Sequence, residues 1–126
     1  VEDHCEAIQK VVEKGRPGQT YNIGGDNEIA NIEIVNTICE ILDNEIPLNN
    51  GKSYKEQITF VPDRPGHDYR YAIDASKIKT ELSWSPRENF LTGIKKTILW
   101  YLDNRSWWES IKRNKYQLER LGLEKE

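Results

Sequence analysis

Only three short stretches of this chain favour an extended backbone, and helix-patterned segments separate them. They are residues 21–23 in "TYNIGG", "ITFV" at 58–61 and, more weakly, "YAID" at 71–74, where β-branched and aromatic side chains alternate with little else that a strand prefers. Sheets in globular domains hold about 4–6 strands. Two or three short ones call for a larger sheet outside the chain. The expected fold class is therefore α/β, mostly helical with two or three short strands.

Helical periodicity fills most of the remainder. In "VEDHCEAIQKVVEKG", Ala7, Ile8, Val11 and Val12 recur at helical spacing, Asp3 with Glu6 reads as a capping pair, and Gly15 is a natural stop. Ile34, Val35, Ile38, Ile41 and Leu42 form the clearest apolar face, with Asn31 placed to cap it and Pro47 just beyond its end. Asp74 is positioned to cap a helix carrying Ile78 and Leu82, which must stop before Pro86. A long helix from Phe90 carries Ile94, Ile98 and Tyr101, and a further helical stretch carries Trp107, Trp108, Ile111, Leu118 and Leu121. The polar, turn-rich stretch 47–57 reads as a surface loop. These elements divide into a core over 1–104 and a helical tail over 105–126.

Charge and cysteine usage exclude several classes of function. Eighteen basic against 21 acidic residues give a net charge of -3 without a basic block, so polymeric nucleic acid is not an expected partner. Cys5 and Cys39 have neither metal-site nor disulfide-scaffold spacing, which fits a reducing, cytoplasmic setting and no metal. Neither a membrane-length apolar run nor a signal peptide is legible. The chain holds no methionine and opens on "VEDHCEA", already a helix start, as expected of a piece of a longer protein.

Two stretches could hold an anion. "IGGDNEIANIEIV" runs from a glycine pair to a helix start, where backbone N–H groups gather and Asn31 could offer its amide to a phosphate oxygen or simply cap its own helix. "FVPDRPGHDYRYAID" puts Arg64 beside a Pro65-Gly66 bend, with His67 two residues after the proline. A guanidinium suits bidentate phosphate contact. Asp63, Asp68 and Arg70 could equally pair into a cluster that only staples the loop. The Trp-rich stretch "WYLDNRSWW" reads either as packing or as a stacking platform for a base. Dinucleotide-binding and P-loop glycine patterns are both missing, as are a Tyr-x-x-x-Lys pair and a nucleophile–base motif.

Taken together, "YNIGGDNE", "ANIEIVNTICEILD", "ITFVPDRPGHDYRYAIDASKIKTELSWSP" and "GIKKTILWYLDN" resemble the C-terminal part of the dTDP-glucose 4,6-dehydratases, which are extended short-chain dehydrogenases/reductases. The resemblance runs from the first residues to about Trp108. It implies a substrate-binding C-terminal region without the N-terminal Rossmann domain, which in that family binds NAD. It also implies an NAD-dependent lyase that converts dTDP-glucose to dTDP-4-keto-6-deoxyglucose and water in deoxysugar biosynthesis, homodimeric at full length. The family's catalytic Tyr, Lys and Thr and its Asp–Glu pair lie upstream, so the chain is expected to hold no catalytic residue and to be inactive alone.

What the resemblance carries onto this chain is substrate contact. Asn31 matches the family asparagine near the diphosphate, and Asp63, Arg64, Pro65, Gly66 and His67 match its nucleotide-binding loop. Related UDP-sugar epimerases end the corresponding motif in aspartate, which suits two ribose hydroxyls. His67 suits a deoxyribose with one. The competing expectations are another extended reductase, such as a UDP-sugar epimerase or decarboxylase, and a free-standing binding or dimerisation module. Two positions depart from the family pattern: Ser83 where glycine is common before Trp84, and Asp26 where histidine is frequent.

Overall fold

A computed structural model describes residues 1–114. It contains five α-helices, α1 (Glu2–Lys14), α2 (Asn31–Glu45), α3 (Ser76–Leu82), α4 (Phe90–Asp103) and α5 (Arg105–Asn114), with a 3₁₀ turn at Tyr54–Gln57. The chain divides into two compact units: Val1–Ala30 with Arg70–Gly93, and Asn31–Tyr69 with the residues from Ile94 onward. Leu118 and Leu121, assigned above to a helical stretch, lie outside the described residues.

The first unit is organised around Trp84. Ala7 of α1, Ala75, Ile78 and Leu82 of α3, and Trp84 are all buried, with Val11, Tyr21 and Ile23 packed against them. Burying a side chain such as Ile78 contributes roughly 1.5–3 kcal/mol, so this small cluster dominates the unit's cohesion. The apolar spacing of α1 is only partly used: Ala7 is fully buried, whereas Ile8 and Val12 stay 46% and 80% exposed.

Gly15 ends α1 by turning extended, with φ -66° and ψ 147°, while its N–H still makes the i→i−4 bond to Val11 O at 2.8 Å; a Cβ there would sit 2.4 Å from the same oxygen. The C-terminus of α3 is closed differently. Ser83 takes a left-handed backbone with φ 51° and ψ 42°, a conformation that glycine adopts without steric cost. Asp26 is the other non-glycine residue at positive φ. Both departures from the family pattern thus fall on left-handed backbone.

Asp3 does not cap α1. The helix starts at Glu2, which puts Asp3 inside it, and its carboxylate instead accepts from the backbone N–H of Arg87 at 3.1 Å and Glu88 at 3.0 Å. Those bonds, Glu88 first and then Arg87, hold the Asp3 carboxyl below its ordinary range. Asp74 is expected to cap α3, but the N-cap is Ala75, which makes no side-chain cap bond; Asp74 stands one residue earlier, its Oδ1 accepting from Ser76 N at 2.8 Å. At the start of α4, Asn89 and Thr92 form a reciprocal box, Thr92 N donating to Asn89 Oδ1 at 3.0 Å and Asn89 N to Thr92 Oγ1 at 3.2 Å.

The expected strands are not formed among the described residues. Residues 21–24 do run beside 72–74, but the link is a side chain: Asn22 Nδ2 donates to Asp74 O at 3.2 Å, and a Cβ on Gly24 would lie 3.1 Å from the Ile73 side chain. A strand needs a backbone ladder on at least one edge, and none of the three β-prone runs supplies one to another. In "ITFV", Phe60 and Val61 remain 82% and 62% exposed. The architecture of the described residues is helices joined by long segments without regular secondary structure.

In the second unit the loop expected at 47–57 is docked rather than free. Ser53 Oγ donates to Asp43 Oδ2 at 2.5 Å and Tyr54 N to Asp43 Oδ1 at 2.8 Å, fixing the 3₁₀ turn to α2. Lys55 adds an ion pair to Glu40 at 2.6 Å, and the Tyr54 hydroxyl donates to Ile46 O at 3.1 Å. Cys39 of α2 and Ile98 of α4 are buried. Within the described part of α5, Trp108 Nε1 donates back to Tyr101 O at 2.8 Å, and the rings of Trp100, Tyr101 and Trp107 meet edge to face at 5.2 Å while staying about half exposed. No described helix is long and apolar enough to cross a membrane.

Candidate functional site

The Pro-Gly stretch forms a tight turn whose geometry follows from its residues. His67 N donates to Arg64 O at 3.3 Å, closing a four-residue turn with Pro65 and Gly66 at its centre. Gly66 has φ +70°. Proline fixes the first central residue and only glycine enters positive φ there without strain, which is the type II pattern. The turn brings its two ends together.

Asp63 organises that turn from inside. Its Oδ1 accepts from Arg64 N at 2.9 Å and contacts His67 Nδ1 at 2.6 Å. On the far side of the ring, His67 Nε2 lies 3.4 Å from Asn31 Nδ2. Asn31 is the first residue of α2, and its amide faces the histidine across 36 positions of sequence. The chain therefore gathers Asp63, His67 and Asn31 into one polar row within the second unit.

Arg64 points its chemistry elsewhere. Its backbone N–H is used by Asp63, while its guanidinium pairs with no carboxylate among the described residues. Asp68 and Arg70, which could have paired to staple the loop, do not pair with each other. Arg70 pairs with Glu28 at 3.2 Å, inside the first unit, and Asp63 serves His67. Across this loop and the start of α2, a guanidinium without a described carboxylate partner, an imidazole and a carboxamide offer five N–H donors, a ring nitrogen and an amide. That set suits phosphate oxygens and a hydroxyl.

Local signals account for part of this arrangement. Asp63 and His67 stand four apart around a turn that the sequence declares, whereas nothing local points from Asn31 to His67 or from Glu28 to Arg70. The first unit also carries a recess of about 380 Å³ lined by His4, Tyr21, Asn22, Ile23, Ala72, Ile73 and Asp74. It presents no Lys or Arg to a phosphate. Among the described residues no group of three or more His, Cys, Asp or Glu is arranged to hold a metal ion.

The chain belongs to the family described as GDP-mannose 4,6 dehydratase, whose sequence model matches residues 1–97. Within it, the similarity is to proteins named for a different nucleotide-sugar. The chain is 56% identical to a dTDP-glucose 4,6-dehydratase of Escherichia coli, over 98% of the chain and 34% of that protein. It is 54% identical to a probable dTDP-glucose 4,6-dehydratase of Sinorhizobium fredii, over 98% of the chain and 35% of that protein. Its fold superposes with a TM-score of 0.74 on a dTDP-glucose 4,6-dehydratase of Bacillus anthracis solved in complex with NAD, at 45% identity, covering 88% of the chain and 32% of that structure. The chain thus spans about a third of the length of the relatives it matches.

Proposed function

We propose that this chain is the C-terminal, nucleotide-sugar-holding portion of a dTDP-glucose 4,6-dehydratase. In this reading Asn31, Asp63, Arg64, Pro65, Gly66 and His67 build the substrate-binding segment, Arg64 meeting the diphosphate and His67 the hydroxyl of the deoxyribose. The observation that carries it is the meeting of Asn31 and His67 at 3.4 Å, in a loop whose Arg64 guanidinium no described carboxylate neutralises. A cationic fork left unpaired in a chain of net charge -3 is what an anionic ligand requires.

NAD belongs to the reading through the whole enzyme and not through these residues. A dinucleotide site needs a strand, a glycine turn and a helix in immediate succession. Here the Gly24-Gly25 pair follows an extended run without ladder partners, and residues 26–30 separate it from α2. The described residues do not fit NAD, and no step of hydride transfer is assigned to them. Their work is to bind and orient: fixing a diphosphate at one end leaves the sugar to be presented to residues elsewhere in the enzyme.

The test is nucleotide preference. The whole enzyme carrying this chain is expected to bind dTDP more tightly than UDP, and His67→Asp to move the preference toward UDP, because a carboxylate accepts from both ribose hydroxyls. A dTDP/UDP ratio unchanged by His67→Asp, read by isothermal calorimetry, would remove His67 from the nucleotide.

A further inference from the structure

The polar row distinguishes the two tautomers of the His67 ring. An ionised carboxylate only accepts, so the 2.6 Å contact with Asp63 Oδ1 places the proton on His67 Nδ1. The Asn31 amide nitrogen only donates, so at Nε2 it meets a lone pair. With the proton on Nε2 instead, a bare Nδ1 would face the carboxylate at the same short distance. In the neutral ring Asp63 therefore selects the Nδ1–H form, with Nε2 as an acceptor.

The two contacts differ in strength. The Asp63 contact is short and charge-assisted, whereas 3.4 Å to Asn31 Nδ2 exceeds the usual range of about 2.7–3.2 Å. A ligand hydroxyl reaching Nε2 would be a better partner than the amide it displaces. Asp63 meanwhile spends Oδ1 on two bonds inside the turn.

We propose that Asp63 is a positioning residue that locks His67 into the Nδ1–H tautomer, so that Nε2 selects nucleoside diphosphates whose sugar offers a hydroxyl donor. This rests on the nucleotide-holding reading above. It adds that selectivity for the hydroxyl is set by a residue that binds the ring's opposite nitrogen.

Two measurements on the whole enzyme carrying this chain test it. The first is the imidazole ¹⁵N spectrum, with His67 assigned by comparison with His67→Gln. The expected result is an Nδ1–H ring in wild type and in Asp63→Asn, whose carbonyl still accepts, and a mixed or Nε2–H ring in Asp63→Ala. The second is calorimetry with dTDP and with 2′,3′-dideoxythymidine diphosphate. Loss of the hydroxyl should weaken binding about tenfold in wild type and in Asp63→Asn, but only about twofold in Asp63→Ala, the size expected when one hydrogen bond is lost or kept.

An Nε2–H ring in wild type, or the same discrimination in Asp63→Ala as in wild type, would overturn the positioning role while leaving nucleotide binding intact. An Nδ1–H ring in an enzyme that binds neither nucleotide would instead defeat the nucleotide reading, and the proposal with it.

Discussion

The Asp43 carboxylate accepts from Ser53 Oγ at 2.5 Å, a bond that ties the 3₁₀ turn to α2. The hydrogen bond from Ser53, then that from Tyr54 N, hold the Asp43 carboxyl below its ordinary range. A carboxyl depressed in the folded state adds stability above its unfolded pKa of about 3.9, and that stability is lost as pH falls through the lower folded value. Wild type should therefore be more stable than Asp43→Asn near neutral pH, with the gap closing below about pH 4. Urea titrations at several pH values would read this, and a gap that widens in acid would refute it. The difference between the two proteins isolates Asp43 from Asp3 and Asp74, whose carboxyls are also depressed.

Ser83 holds α3 closed at φ 51°, a position that disfavours any residue with a Cβ by about 1–2 kcal/mol. Ser83→Gly should raise stability by about 1 kcal/mol after the entropy that glycine loses on folding is counted. The seryl carbonyl accepts from Lys10 Nζ, and glycine keeps that carbonyl. A lower melting temperature for Ser83→Gly would contradict the assignment.

Trp84 fills the centre of the first unit at 2% exposure, with an indole N–H that finds no partner among the described residues. Trp84→Ala should cost about 3–5 kcal/mol through the cavity it leaves. Trp84→Phe should cost clearly less, because it removes an unpaired polar group along with some volume. Equal losses in chemical denaturation would mean that the N–H is satisfied after all.

Sequence reasoning reached the elements whose causes are local. The apolar face of α2, the long helix from Phe90, the stop at Gly15 and the Pro65-Gly66 turn were all legible because each is decided within a few residues. Strand formation is not decided locally. Residues 21–23, 58–61 and 71–74 have strand composition, but pairing depends on a partner edge, and none of them provides one to another. Asp3 was misread for a similar reason: its bonds go to Arg87 and Glu88, more than eighty positions away. Of the candidate site, the turn and the Asp63–His67 spacing could be read, while the approach of Asn31 to His67 is a product of folding. The docked 3₁₀ turn does have a local signal, since Ser53 and Glu56 have the spacing of a capping box and Ser53 accepts from Lys55 N.

Gly66 at φ +70° has open space around a hypothetical Cβ, so Gly66→Ala should act through backbone strain alone, about 1–2 kcal/mol. That strain falls on the turn joining Arg64 to His67. The expected outcome is about tenfold weaker dTDP binding with a melting temperature close to wild type. Unchanged affinity would show that the ligand does not depend on this turn.

The central claim is that Arg64 holds a diphosphate, and the most direct measurement is calorimetric titration of dTDP and of thymidine into the whole enzyme, wild type and Arg64→Ala. A charged hydrogen-bond partner contributes roughly 1.5–3 kcal/mol. The expected result is a loss of about 10- to 100-fold in dTDP affinity with thymidine binding unchanged. Equal dTDP affinity in the two proteins, or an equal loss for dTDP and thymidine, would contradict it.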